Sequence, residues 1–296
     1  LGIYLFNNNN MKRFFVFISF LLFLVACKKN ITDNSASVAA LTLTDVAYAS
    51  ANSNQKLDVY LPANRSTATT YTCIMVHGGS WSGGDKSDFN TDIATLKTLV
   101  GNYAIININY SLANGSSILL QQQIDDLNAA FNFIHSKANE YLINTNKIAI
   151  IGASAGAHLS LLKAYKYNTD NKIKAMVDLF GPTNMTWMYT SHPYPTIAQP
   201  TIVNVMGATP ITNAAAYYNG SPINFVSSTV PPTIIFHGTA DEIVPISESV
   251  NLKNALATAG VQYEYYTYTG EAHGWTGANL TDTYNKVITF IKNYVK

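Results

Sequence analysis

Gly152-Ala153-Ser154-Ala155-Gly156 places a serine between two glycines, at the end of the apolar run 148–151 and ahead of an alanine- and leucine-rich stretch over 155–167. The G-x-S-x-G pattern alone arises by chance about one time in ten in a chain of this size, given ordinary Gly and Ser usage. Its weight therefore rests on context. A strand enters, a helix leaves, and small residues fill both variable positions, as a cramped strand-to-helix turn requires. Such a turn lifts the Ser154 hydroxyl above the carboxyl edge of a sheet and aims the Ala155 N–H at any oxyanion formed there.

A serine hydroxyl is a poor nucleophile at neutral pH, so this chemistry needs a base within hydrogen-bond reach and a third group to orient it. Two candidates follow in the order Ser, Asp, His that strand-turn-helix nucleophiles of this kind employ. Asp241 stands just beyond the run Phe236-His237-Gly238-Thr239-Ala240, and His273 lies among small residues in Gly270-Glu271-Ala272-His273-Gly274-Trp275. An isolated aspartate in a turn is usually a cap and an isolated loop histidine usually surface. Their order behind Ser154 turns both readings toward catalysis, with Asp241 preferred to its neighbour Glu242. His135, His158, His192, His77 and His237 are read as structural.

Acyl transfer also requires donors for the tetrahedral oxyanion. His77-Gly78-Gly79-Ser80-Trp81 follows the apolar run 72–76, where glycines let the backbone approach a ligand closely. The expected donors are the N–H of Gly79 or Ser80 together with Ala155, and His77, Gly78 and Trp81 are expected to support the loop. No H-x-x-H pair or Cys/His cluster suggests a metal.

These residues must be positioned by alternating strands and helices. Strands are expected over 56–61, 72–76, 103–108, 147–151, 173–180, 233–236 and 261–268, several as continuous apolar runs that suit a parallel sheet buried on both faces. Helices are expected over 118–138, where Ile124, Leu127, Phe131 and Ile134 recur at three- and four-residue steps, and over 155–167, 247–259 and 284–295. The stretch 183–224, dense in Pro, Tyr, Asn and Thr, breaks the alternation. It reads as an irregular lid or pocket insertion, with Trp187 and Tyr189 as candidate pocket residues.

Composition bounds the rest. Net charge is +1 and charged residues are only 12% of the chain, which leaves no basic footprint for nucleic acid. A hydrophobic fraction of 48% argues for a folded core, and one α/β domain suits the length better than two. Cys73, in an apolar run, reads as a small buried hydrophobe.

The N-terminal end reads as an export signal. Met11-Lys12-Arg13 is basic, residues 14–25 are apolar or small, and Leu24-Val25-Ala26-Cys27 closes the run. The run is short of the ~20 residues a membrane-spanning helix needs. Residues 1–10 are expected to be a non-native upstream extension, 11–26 a signal peptide, 27–42 a flexible linker and 43–296 the enzymatic domain. Leu-Val-Ala-Cys resembles the lipobox of bacterial lipoproteins, which implies a lipid on Cys27 and attachment to a bacterial cell membrane, the outer one in a Gram-negative cell.

From about Leu57 onward the chain resembles the esterase/lipase branch of the α/β-hydrolase superfamily, including feruloyl and acetyl xylan esterase-like and arylformamidase-like enzymes. The matching residues are Leu57-Asp58-Val59-Tyr60-Leu61-Pro62, His77-Gly78-Gly79-Ser80-Trp81, Gly152-Ala153-Ser154-Ala155-Gly156, His237-Gly238-Thr239-Ala240-Asp241 with Val244-Pro245, and His273-Gly274-Trp275. The resemblance implies an α/β-hydrolase fold, a mostly parallel central sheet with helices on both faces, and no cofactor. It implies hydrolysis of small acyl or aryl esters, carbohydrate-linked ones included, with an amide-cleaving peptidase or arylformamidase and a non-catalytic binding module as alternatives. Two departures stand out. Ser80 occupies a position where relatives often carry a third glycine, and Ser111 one where they often carry arginine, so that a salt bridge is expected to be missing there.

Overall fold

The computed structural model describes residues 37–296, so the expected export signal and Cys27 lie outside the described residues. Eight strands form one sheet: β1 (Leu41–Ala47), β2 (Lys56–Leu61), β3 (Tyr71–Val76), β4 (Tyr103–Ile108), β5 (Asn144–Ala153), β6 (Ile173–Leu179), β7 (Thr233–Gly238) and β8 (Tyr263–Tyr268). Their order is β1-β2-β4-β3-β5-β6-β7-β8. The β1/β2 and β2/β4 pairs are antiparallel and every later pair is parallel. The mostly parallel sheet is the one the continuous apolar runs predict.

The helices are α1 (Asn90–Val100), α2 (Leu120–Ser136), α3 (Ala138–Tyr141), α4 (Ala155–Tyr165), α5 (Met185–Thr190), α6 (Pro195–Met206), α7 (Ala214–Asn219), α8 (Ser247–Thr258) and α9 (Gly277–Tyr294). Side chains alternate across the sheet, as a period of two demands. Ile74, Ile106 and Ile150 share one face with Leu127 of α2, Leu159 of α4 and Leu252 of α8. Cys73, Met75, Ile105 and Ile151 share the other with Ile93 and Leu96 of α1 and Ile291 of α9. Burial pushes the Cys73 thiol up to about 12, which leaves it an unreactive core residue.

Two expectations are corrected and one helix is added. The folded chain begins before residue 43: Val38 accepts a hydrogen bond from Asn64 N–H at 2.7 Å, and β1 starts at Leu41. This edge strand is mostly exposed and interrupted by a bulge between Leu43 and Val46, so it lacks a clean alternation. The 183–224 insertion is helical rather than irregular, carrying α5, α6 and α7. Asn184 and Asn213 cap two of these helices by accepting from Trp187 N–H and Ala216 N–H, and Pro195 opens the third. Helix α1, not anticipated, presents Ile93, Leu96 and Val100 to the sheet.

Leu127 has no exposed surface and lies where α2 meets the sheet. Leu127→Ala should lower the unfolding free energy by about 2–5 kcal/mol through lost burial and the cavity left behind, read from urea denaturation midpoints.

Candidate active site

The carboxyl ends of β3, β5, β6, β7 and β8 converge where β5 passes into α4. Ser154 occupies that turn with φ 54° and ψ −122°, a conformation an L-residue adopts only when its surroundings impose it. The imposition is steric. A Cβ on Gly152 would lie 2.4 Å from the Gly156 carbonyl, and one on Gly156 would lie 2.2 Å from that of Val76. Strand, turn and helix pack backbone to backbone, and Ser154 N–H donates to Leu179 O at 2.9 Å.

Ser154 Oγ stands 2.8 Å from His273 Nε2, and His273 Nδ1 stands 2.7 Å from Asp241 Oδ2. An ionised carboxylate only accepts, so Nδ1–H donates to Asp241 and Nε2 is left to accept the serine proton. The side chain of Asp241 is fully buried and that of His273 is 17% exposed. Burial alone would raise the Asp241 carboxyl. Donation from His237, His273 and the Val244 amide instead holds it well below the usual carboxylate range. Its Oδ1 also accepts from Ile243 N–H and Val244 N–H, each at 2.9 Å. Glu242 points elsewhere, accepting from Tyr194 O–H at 3.2 Å.

The His77–Trp81 loop is pinned from several sides. Tyr110 O–H donates to His77 O at 2.9 Å and its ring stacks on the His77 ring at 4.4 Å. Trp81 O accepts from Ala113 N–H at 2.8 Å and from the Gln123 amide at 2.7 Å. The Trp81 indole N–H donates to His158 Nδ1 at 3.1 Å, and His158 Nε2–H reaches Gly220 O at 2.7 Å. His158 thus ties this loop to the helical insertion, and its burial lowers its pKa to about 4. Gly78 packs closely on the nucleophile turn: a Cβ there would lie 3.2 Å from Ser154 Cβ. Among the described residues, the N–H groups of Gly79, Ser80 and Ala155 donate to no protein acceptor.

A cavity of about 390 Å³ opens over Ser154. Ser80 and Trp81 form one wall, Met188, Ile197 and Ile202 of the insertion another, and Ile243 and Val244 a third. Gly79 does not line it. With φ +110°, this residue makes the turn behind, where a Cβ would strike the Gly83 carbonyl. Trp187 and Tyr189 do not line this cavity. On α5 they lie to either side of Met188, which faces the cavity, while both pack against the core and Tyr189 sets its ring edge-on to Tyr217 at 5.9 Å.

Sequence reasoning missed Phe180, whose ring packs edge-on to His273 at 4.6 Å and to Trp275 at 5.3 Å. It also missed the apolar wall on α6. Ala198, Ile202, Val205 and Met206 are buried at helical spacing there, a periodicity present in the sequence but masked by Pro195 and Pro200. Ser111 forms no ion pair, and its N–H donates to Asp126 at 2.7 Å. Among the described residues no group of three His, Cys, Asp or Glu side chains is arranged to hold a metal ion.

Fold and site together define an α/β-hydrolase of the esterase/lipase branch. The chain belongs to the BD-FAE family, whose model matches residues 57–256. It is similar to the probable carboxylic ester hydrolase LipM of Mycobacterium tuberculosis (strain ATCC 25618 / H37Rv), at 25% identity over 75% of this chain and 53% of that protein. The chain spans about half the length of the curated relatives it matches. Among solved structures, a truncated carbohydrate esterase from gut microbiota superposes with a TM-score of 0.69 at 27% identity, covering 85% of this chain and 98% of that one. Esterase B from Lactobacillus rhamnosis shares the fold, with a TM-score of 0.72 at 19% identity over 86% and 87% of the two chains.

Asp178, at the end of β6, is completely buried and accepts from Gly181 N–H at 2.8 Å. Desolvation pushes its carboxyl up to about 7. The folded state then holds this proton more tightly than the unfolded one, so the contribution of Asp178 to stability falls as pH rises between about 4 and 7. Asp178→Asn should gain stability relative to the native chain across that window, seen as a difference in urea midpoints that is larger at pH 8 than at pH 4.5.

Proposed function

We propose that the protein is a serine carboxylic-ester hydrolase working through an acyl-enzyme. The observation that carries this reading is the continuous hydrogen-bonded chain Ser154–His273–Asp241 at the floor of an apolar cavity. In the first step His273 Nε2 takes the Ser154 proton while Oγ attacks the ester carbonyl. Asp241 holds the Nδ1–H tautomer and offsets the imidazolium charge. The N–H groups of Ser80 and Ala155 receive the oxyanion, and Ser80 is preferred to Gly79 because it faces the cavity beside Ser154. His273 then protonates the leaving alcohol, and water repeats the sequence to release the acid.

The cavity supports a small acyl or aryl group, since its walls are mostly aliphatic. The likeness to a carbohydrate esterase supports a carbohydrate-linked ester, acetyl or feruloyl, as the physiological substrate. Cys27 is proposed as a lipid attachment site that would hold the enzyme at a bacterial membrane.

Hydrolysis of p-nitrophenyl acetate should fall at least about a thousandfold in Ser154→Ala and in His273→Ala, as for other nucleophile–base pairs that act as a unit. Native rates in either variant would overturn the assignment. A panel of acetylated and feruloylated sugars then ranks the substrates. Cys27→Ala should move the full chain from the membrane to the soluble fraction on cell fractionation, and unchanged membrane retention would exclude the anchor.

A further inference from the structure

Behind the triad lies a buried cluster that the acyl-transfer cycle does not use. His237, near the carboxyl end of β7, has no exposed surface. Its Nε2 faces two acceptors, Val244 O at 2.7 Å and Asp241 Oδ2 at 3.2 Å. Its Nδ1 lies 2.6 Å from the Ser249 hydroxyl of α8. A carbonyl and a carboxylate only accept, so the ring carries a proton on Nε2, and Ser249 fixes the ring from the opposite side.

Asp241 Oδ2 accepts from His273 Nδ1–H in front, and the His237 Nε2–H, hydrogen-bonded to Val244 O, lies behind it at 3.2 Å. Other charged groups reach the same ring from the packed elements around it. Asp178 approaches from β6 and Glu248 from α8, both without exposed surface and both interacting electrostatically with His237. Glu248 Oε2 accepts from Thr183 and Asn184 N–H at 2.6 and 2.7 Å, at the root of the helical insertion. Among the described residues, Asp178 Oδ2 and Glu248 Oε1 have no hydrogen-bond partner.

We propose that His237 is a positioning residue of the triad: its Nε2–H holds the Val244 carbonyl, whose residue donates its own N–H to Asp241 Oδ1, and from 3.2 Å its positive pole offsets part of the carboxylate charge that His273 would otherwise feel. The inference rests on the serine-hydrolase reading above. A carboxylate oxygen with a second N–H pole beside it presents less net negative charge to its own donor than it would alone. Removing the rear donor gives His273 the undivided charge and favours its protonated form. Since the free enzyme needs an unprotonated base, the acid limb of kcat/KM must then move to higher pH.

The test uses the full chain with His237→Leu and His237→Gln, whose amide nitrogen reaches about as far as Nε2. Two quantities are read: the pH profile of p-nitrophenyl acetate hydrolysis, and the low-field proton resonance of the His273–Asp241 hydrogen bond. His237→Leu should lower kcat/KM at pH 7 by about ten- to a hundredfold, the usual scale for a lost hydrogen bond to a charged group. KM should change less than about threefold, because the lost interaction is not one with substrate. The acid limb should rise by about one pH unit, and the low-field resonance should move. His237→Gln should bring both back toward native values.

An unmoved limb and resonance in a folded His237→Leu, or equal losses in both variants with no shift, would reduce His237 to a packing residue and overturn the proposal. Should His237→Leu fail to fold, Ser249→Ala carries the test. Freeing the ring at Nδ1 should shift limb and resonance in the same direction by less, and no shift overturns the proposal. A native chain that hydrolyses no ester would overturn the functional reading instead, while the resonance still reports whether His237 acts on the Asp241–His273 bond.

Discussion

The close backbone approach at the β5–α4 turn governs the rest of this structure. Gly152 and Gly156 have no room for a Cβ because the strand, the turn and the first turn of α4 lie against one another and against the β3 exit. That compression holds Ser154 at φ 54°, with its hydroxyl facing the cavity and the Ala155 N–H beside it. The cost of the strained residue, of order 1–3 kcal/mol, is borne by the parallel strands that bury both faces of the sheet around it. Neighbouring strand ends then supply the other groups: the β7 exit brings Asp241, the β8 exit brings His273, and the β3 exit brings Ser80.

The His77–Trp81 loop and the insertion are joined through side chains rather than sequence proximity. Trp81, His158 and Gly220 come from three separate segments, yet form one hydrogen-bonded line from the loop through α4 to the insertion. A second line runs from His192 Nε2 to Ile243 O at 3.1 Å and from Tyr194 O–H to Glu242, joining the insertion to the loop that carries Asp241. The cavity is thus framed by elements that cannot shift independently. This is the preorganisation that the proposed acyl transfer would require, since donors must already stand where charge will develop.

Behind the cavity, charge is held at depth by N–H donors. Asp241 stays ionised because it accepts from two backbone amides and from the imidazoles. Asp178, more deeply buried and, among the described residues, accepting only from Gly181, is driven toward its neutral form. Two aspartates at adjacent strand exits are thus shifted in opposite directions, by the depth of burial and by the number of donors around each.

Much of this was legible in the residues alone. The parallel strands followed from continuous apolar runs, α2 from its three- and four-residue steps, and Ser154, Asp241 and His273 from their order and from the small residues flanking the serine and the histidine. Local chemistry sufficed there because a turn that needs glycine, or a strand buried on both faces, leaves its mark within a few residues. Edge strand β1 left no such mark, since most of its residues are exposed and a bulge separates the two that pack on the core, Leu43 and Val46, and the insertion concealed its helices behind prolines and short caps. Only the tertiary structure decided that Met188 rather than Trp187 or Tyr189 faces the cavity, that Phe180 packs on His273, and that His237 stands behind Asp241. Those relations join residues far apart in the chain, so they depend on how the sheet brings separate strand exits together, which no local pattern encodes.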